Sequence, residues 1–237
     1  ITWGIACKAL HSKNERTFIL DSLPALHRNA ANKWMSGRVG LNPDFSERRC
    51  VFVHIPKCAG TSVANALFSL GDPGHLPLSW YERVFPDFYK DAFKFSIVRD
   101  PLERAYSAYR YLLTRPADGR DGASMRLVRK YPDFDNFVRS WLCPENALRQ
   151  LHFVPQWHFL SNSHGDIDTD YIGRFEQLES HFKEIAGRLG VSAELGKFNV
   201  SPGTASAAAE ACSPDALQRV VQVYARDYEL FGYPVPV

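Results

Sequence analysis

The chain has 237 residues, of which 45% are hydrophobic and 23% are charged, and its formal net charge is +2. This length suffices for one large α/β domain or two small ones with a buried core. The small net charge gives no reason to expect nucleic acid or a membrane surface as a partner, and no apolar run approaches the roughly 18 residues that cross a bilayer. The five cysteines form no C-x-x-C pair, which argues against a disulfide scaffold.

Residues 1–46 are mixed in composition, and we predict that they form an N-terminal extension packed on a main domain of residues 47–237. The sequence begins with Ile1, and its first residues lack the basic start and long apolar middle of a secretory signal. We therefore expect a cytoplasmic protein if the source is bacterial. The alternative is a protein of the Golgi lumen whose N-terminal anchor has been removed.

Short apolar runs rich in β-branched and aromatic residues predict three strands, at residues 50–54, 93–98 and 171–173. Helices are predicted at 61–70, 134–142, 145–151, 178–189 and 213–228, and another runs to Thr114 from Asp100 as N-cap and Pro101 in its first turn. Residues 71–77 read as a loop, and 115–130 as a polar loop with a short helix. The alternation of strands and helices predicts an α/β protein, in which helices cover both faces of a parallel sheet.

The segment HIPKCAGTS, residues 54–62, joins the first strand to the next helix. A strand that turns through glycine into a helix directs backbone N–H groups and the positive helix end at one point, which is a site for an anion. The Walker pattern G-x-x-x-x-G-K-[ST] is absent, which weighs against the magnesium arrangement of nucleoside triphosphatases. Taken alone, the loop also fits an ordinary strand-to-helix turn in which Lys57 is a surface lysine.

A second motif, SIVRDPLERAYSAY at residues 96–109, follows the next strand. It places Arg99 at the strand exit and Ser107 about two turns into the following helix, where we expect the two side chains to bracket a second phosphate. A guanidinium binds phosphate oxygens through two parallel hydrogen bonds, which lysine cannot do. Two anion sites at the carboxyl ends of parallel strands predict a ligand with two separated phosphate groups.

These motifs resemble those of a known family. HIPKCAGTS is similar to the 5′-phosphosulfate loop of sulfotransferases that use 3′-phosphoadenosine 5′-phosphosulfate (PAPS), and VRDPLERAYSAY is similar to their 3′-phosphate motif. The later segments IGRFEQLESHFKEIAGRLGV and YARDYELFGY resemble the carbohydrate sulfotransferase branch. The resemblance spans residues 50–233. It implies a P-loop-kinase-like α/β fold, PAPS as the sulfuryl donor, and no metal.

Residue by residue, the resemblance assigns the 5′-phosphosulfate to the loop residues Lys57, Cys58, Ala59, Gly60, Thr61 and Ser62. It assigns the 3′-phosphate to Arg99 and Ser107. Lys57 is also expected to stabilise negative charge on the leaving phosphate oxygen. His75, in GDPGHLPL, is the candidate general base, because neutral histidine suits proton removal near pH 7 and the family has a histidine in such a segment. The alternative is a loop histidine that bonds a backbone group.

The acceptor is expected to be a hydroxyl, most readily of a carbohydrate. His158 is a candidate for acceptor contact, although the six-residue spacing of His152, His158 and His164 fits ordinary packing and no usual metal site. Basic residues of 115–130, including Arg126 and Arg129, form either a solvated face or a mobile lid that recruits an anionic acceptor. Arg174 fits a structural ion pair at least as well as ligand binding. Asn199 and Ser201 are expected near the cofactor.

Two other functions remain open at this point. A nucleotide kinase or phosphotransferase of related fold would use the same sheet edge, and the missing Walker lysine weighs against it. A non-catalytic module that binds a nucleotide or an anionic glycan would bind without turnover.

Overall fold

Three parallel strands form the central sheet in the order β1–β2–β3. They are β1 (Cys50–Val53), β2 (Phe93–Val98) and β3 (Tyr171–Arg174). Every residue of β1 is buried, and so are all of β2 except its first, as expected where a parallel sheet is covered by helices. All three predicted strands are confirmed, with β1 ending one residue earlier than predicted and β3 one residue later.

The structure is a computed structural model that describes residues 23–37, 39–69, 71, 74–114, 121–196 and 205–236, with only the backbone of Ala205 and Ser206. Several predicted features lie outside the described residues: 1–22 of the extension, Leu70, 72–73, 115–120, Asn199 and Ser201. Across the described part of the chain, no helix is both long and apolar enough to pass through a bilayer.

The helices before β2 are α1 (Ala25–Met35), α2 (Pro43–Arg48), α3 (Gly60–Leu67), α4 (Leu78–Val84) and α5 (Pro86–Asp91). Those between β2 and β3 are α6 (Pro101–Thr114), α7 (Gly122–Val128), α8 (Phe134–Trp141), α9 (Pro144–Ala147) and α10 (Trp157–Leu160). A 3₁₀ turn (Phe175–Gln177) follows β3 and leads into α11 (Leu178–Arg188), α12 (Ala205–Glu210) and α13 (Pro214–Phe231).

The helices with clear sequence signals are confirmed, although some of their ends are shifted. Asp100 caps α6, because its Oδ1 accepts a hydrogen bond of 2.9 Å from the Glu103 amide. Ser213 caps α13 in the same way. α3 begins at Gly60 and ends at Leu67, because Phe68 turns to an extended conformation with φ −126°. The predicted end at residue 70 is therefore wrong.

Other predictions failed for local reasons. The helix predicted at 145–151 ends at Ala147, and turns lead the chain from there into the buried residues 152–156. α1, α2, α4, α5, α10 and α12 were not predicted. α4 and α5 have only seven and six residues and are separated by Phe85, so each is too short for its hydrophobic period to stand out in the sequence.

Arg174 has a structural contact at the sheet edge. Its Nη2 donates to the carbonyl oxygens of Phe231 at 2.5 Å and Gly232 at 3.3 Å, where α13 ends in a left-handed glycine with φ +62°. Its guanidinium carbon also lies 4.8 Å from the Tyr233 ring centroid. Arg174 thus satisfies the last carbonyls of α13, which is neither of the two roles considered from the sequence.

Candidate active site

The loop between β1 and α3 contains two residues in left-handed conformations. Lys57 has φ +70° and Ala59 has φ +59°, next to the first residue of α3. Each such residue with a Cβ costs roughly 1–2 kcal/mol, and strain of this kind is retained where surrounding structure or function demands it. Left-handed turns ahead of a helix direct successive backbone N–H groups at one point, which favours an anion there.

Gly60 has a steric reason to be glycine. A Cβ built on it would lie 1.8 Å from Cδ2 of His54, whose buried ring fills that space. From the sequence, Gly60 is expected only as part of the anion-binding turn. The structure adds a separate requirement, which is close packing of the helix start against the end of β1.

His75 is held against the same histidine. Its Nδ1 lies 2.8 Å from the carbonyl oxygen of His54, and the two ring centroids are 4.3 Å apart. The His75 carbonyl oxygen accepts a hydrogen bond of 3.3 Å from Asn29 on α1. Because a carbonyl oxygen can only accept, Nδ1 carries the hydrogen in the neutral ring and Nε2 carries the lone pair. The backbone bond considered as the alternative therefore exists, and it sets the tautomer that a general base needs.

Lys57 lies in an aromatic setting. Its Nζ is 4.1 Å from the ring centroid of Tyr111 on α6. The Tyr111 hydroxyl donates to Asp121 at 3.4 Å, and its ring stacks on His152 with centroids 5.4 Å apart. Burial lowers the pKa of His152 to about 4, an effect that Asp121 opposes and Lys57 reinforces. His152 is therefore neutral at pH 7, and its 3.9 Å contact with Asp121 is not an ion pair there.

Arg99 follows the last residue of β2. Its Nη2 lies 3.3 Å from Oε2 of Glu103, and its guanidinium carbon lies 4.3 Å from the Phe175 ring centroid. Burial raises the pKa of Glu103, and the charge of Arg99 opposes that rise. Ser107 follows Glu103 by four residues and so lies on the same side of α6. These contacts orient the guanidinium and occupy only part of its five-donor capacity.

Gln156, which no sequence pattern indicated, lies in space between the two motifs. Its Oε1 accepts from the Arg99 amide at 2.9 Å and from the Cys58 thiol at 3.4 Å, and its Nε2 donates to the Arg99 carbonyl oxygen at 2.8 Å. The only sequence signal is a lone amide in the apolar run FVPQWHFL. Burial raises the pKa of Cys58 to about 12, so its thiol stays protonated and points inward. Cys58 can therefore meet a ligand only through its backbone.

The acceptor candidates lie on separate elements. His158 on α10 lines a cavity of about 600 Å³. Pro77 also lines this cavity, whereas Lys57 and His75 are not among its lining residues. Burial, with the nearby charge of Arg226, lowers the pKa of His158 to about 4. The lining of the cavity includes Arg83 and three tryptophans, which are Trp34, Trp80 and Trp157. Among the described residues, no carboxylate lines it.

Arg126 on α7 and Arg129, the residue that follows α7, are both exposed, and α7 begins just after Asp121. Arg129 donates to the Leu113 carbonyl oxygen at 3.2 Å. Asp121 contacts Tyr111, and Tyr111 contacts Lys57. The start of α7 is therefore one side chain away from Lys57. In the residues that the structure describes, no three His, Cys, Asp or Glu side chains are grouped to hold a metal ion.

Comparison with known proteins identifies the family. A sequence model described as "Sulfotransferase family" matches residues 45–234. Carbohydrate sulfotransferase 14 of Mus musculus is 26% identical over 172 aligned residues, with 61% of this chain and 43% of that protein covered. Carbohydrate sulfotransferase 11 of Rattus norvegicus is 28% identical over 172 residues, with 62% of this chain and 48% of that protein covered. The chain thus spans less than half the length of these curated relatives.

No solved structure matches the chain significantly. The region matched by the family model contains both motifs, the histidine pair and the Gln156 contacts. The family predicted from these motifs is therefore confirmed, and the chain belongs to the sulfotransferase family.

Proposed function

We propose that this chain transfers the sulfuryl group of PAPS to a hydroxyl of a carbohydrate. One observation carries the proposal: Lys57 and Arg99 follow the carboxyl ends of two neighbouring parallel strands, in a chain of the sulfotransferase family. Ligands of open α/β sheets bind at that edge. A P-loop-kinase-like fold is part of the same proposal, because it accounts for a phosphate loop in this position.

The donor groups present suit a ligand that is anionic at both ends. At the 5′ end we place Lys57, the backbone of 58–60, and the hydroxyls of Thr61 and Ser62 at the start of α3. At the 3′ end we place Arg99 and Ser107. When bound, PAPS supplies the sulfuryl group, and no metal is required in this proposal.

Two side chains are assigned to the chemistry. The ammonium group of Lys57 stabilises the negative charge that develops on the leaving phosphate oxygen. His75 takes the proton of the acceptor hydroxyl at Nε2, where the bond from Nδ1 to the His54 carbonyl places the lone pair. The remaining contribution is alignment of donor and acceptor, which the rigid sheet edge supports.

The aromatic cavity next to Pro77 supports a carbohydrate acceptor. Among its lining residues, Trp34 is 39% exposed and offers a flat apolar face for a sugar ring, and His158 and Arg83 offer polar contacts. The cation Arg83 in its lining, together with exposed Arg126 and Arg129, supports an acceptor that is itself anionic. The printed names of the relatives, which are carbohydrate sulfotransferases, point the same way.

The test is transfer of labelled sulfuryl from PAPS to a panel of neutral, uronate-containing and sulfated glycans, read as a mass gain on the acceptor. Transfer to at least one glycan supports the proposal. Calorimetric binding of ATP in preference to adenosine 3′,5′-bisphosphate would favour a kinase instead. Bisphosphate binding with no transfer to any acceptor would favour a non-catalytic module.

A further inference from the structure

Gln156 joins the two phosphate motifs through its side chain. The amide pairs with both the N–H and the C=O of Arg99, at 2.9 and 2.8 Å, in the manner of a short β-bridge. The same Oε1 accepts from Cys58, which is adjacent to Lys57. Gln156 has no exposed surface, so these bonds are shielded from water and a lost partner is costly.

The segment that carries Gln156 is fixed by fully buried polar side chains. Arg104 donates to the carbonyl oxygens of His152 and Val154 at 3.1 and 2.7 Å. Asp227 on α13 accepts from the amides of Gln156 and Trp157 at 2.7 and 2.9 Å. Neither Arg104 nor Asp227 is exposed at all. Burying such groups is expensive unless they are well bonded, so this anchorage indicates that the position of segment 152–157 matters.

We propose that Gln156 is a positioning residue that holds the 5′-phosphosulfate loop and the 3′-phosphate motif at a fixed separation. The proposal rests on the function proposed above. When two sites are held at the spacing of one ligand, binding at the second site is intramolecular and needs no further ordering of the protein. Gln156 thereby makes the chain selective for nucleotides phosphorylated at both the 3′ and 5′ positions, although it touches neither phosphate.

The experiment measures this coupling and not affinity alone. Calorimetry gives the dissociation constants of adenosine 3′,5′-bisphosphate, adenosine 5′-monophosphate and adenosine 3′-monophosphate for wild type, Gln156→Leu and Tyr224→Phe. Tyr224→Phe is the matched control, because it removes a buried bond of 2.9 Å to Phe153 of the same segment but contacts neither Cys58 nor Arg99 through a hydrogen bond.

We expect Gln156→Leu to lose about tenfold or more in bisphosphate affinity, while each monophosphate changes by less than about threefold. Tyr224→Phe should keep the wild-type preference for the bisphosphate. A Gln156→Leu protein that keeps this preference overturns the inference, and so does an equal loss for all three nucleotides. Should Gln156→Leu not fold, Gln156→Glu retains the acceptor for the Arg99 amide, loses the donor to its carbonyl, and should lose about threefold to tenfold of the preference.

The same measurement separates the two proposals. A wild-type protein that binds no bisphosphate overturns the proposed function and the positioning role together. A wild-type protein that prefers the bisphosphate, with a Gln156→Leu variant that prefers it equally, overturns the positioning role alone.

Discussion

Nδ1 of His75 lies 2.8 Å from the carbonyl oxygen of His54, although 21 residues separate them in the chain. The contact brings a loop histidine to the end of β1, where the ring of His54 already packs against the start of α3. The two histidines thus have different roles. His54 shapes the loop, and His75 presents the nitrogen that the proposed chemistry needs.

Replacing His75 tests its role as the base. His75→Ala should lower kcat about 100- to 10,000-fold and leave the affinity for adenosine 3′,5′-bisphosphate nearly unchanged. His181→Ala is the control, because His181 is a half-buried histidine on α11 that bonds Tyr171 at the opposite end of the sheet. Full turnover by His75→Ala would refute the assignment.

Lys57 is expected to act on the transition state more than on binding. Lys57→Met should lower kcat about 100- to 1,000-fold, because a charge that stabilises the leaving oxygen acts where negative charge develops. Steady-state kinetics with PAPS as the varied substrate measures kcat and KM separately. Lys183→Met, which loses an exposed ion pair with Glu179, should be indistinguishable from wild type. An unchanged kcat with a raised KM would show that Lys57 only binds.

The contact between Gly60 and His54 predicts a specific rescue. Gly60→Ala should lower the free energy of unfolding by about 2–3 kcal/mol, because its Cβ would overlap the His54 ring. His54→Ala should restore part of that loss in the double variant, since it removes the ring. Urea denaturation of the four proteins measures the coupling. Additive effects would contradict the steric account of the glycine.

The buried carboxyl of Asp227 predicts a pH dependence of stability. Burial raises its pKa from 3.8 to about 6, against the opposing effects of Arg104 and of the amides of Gln156 and Trp157. The folded state binds the Asp227 proton more tightly than the unfolded state does. The stabilising contribution of this carboxyl to the free energy of unfolding is therefore complete below pH 3.8 and is lost as pH rises through about 6.

Asp227→Asn removes the titration. The stability of wild type relative to Asp227→Asn should therefore fall by on the order of 3 kcal/mol between about pH 4 and pH 6, and stay level above pH 7. Denaturant titrations of both proteins across this range give the difference directly. A relative stability that rises with pH would mean that the folded protein favours the ionised carboxylate below pH 6.

The parts of the site that sequence could predict are those encoded locally. The loop 54–62 and the Arg99 motif each lie on one strand-to-helix connection. Their residue types, read in order along the chain, indicate anion binding. The capped helices α6 and α13 were predictable for the same reason. Short helices such as α4 gave no repeat to detect.

The contacts that join these parts are long-range, and no local pattern encodes them. Gln156 meets Arg99 across 57 residues, and Asp227 meets Gln156 across 71. One signal was present for Asp227. Asp227 fits the helical series of buried positions Val220, Tyr224, Asp227 and Phe231, which are spaced by four, three and four residues. This spacing puts its carboxyl on the buried face of α13. A charged residue at such a position predicts a buried bonding role.

Sulfuryl transfer at the sheet edge, with Lys57 and His75 as the acting side chains, is tested by one experiment. Single-turnover transfer of labelled sulfuryl from PAPS to the best glycan of the panel is measured for wild type, Lys57→Met and His75→Ala. We expect rapid transfer by wild type and a large loss in both variants, each of which still binds adenosine 3′,5′-bisphosphate. Transfer at the wild-type rate by both variants, or transfer by none of the three proteins to any glycan, would contradict it.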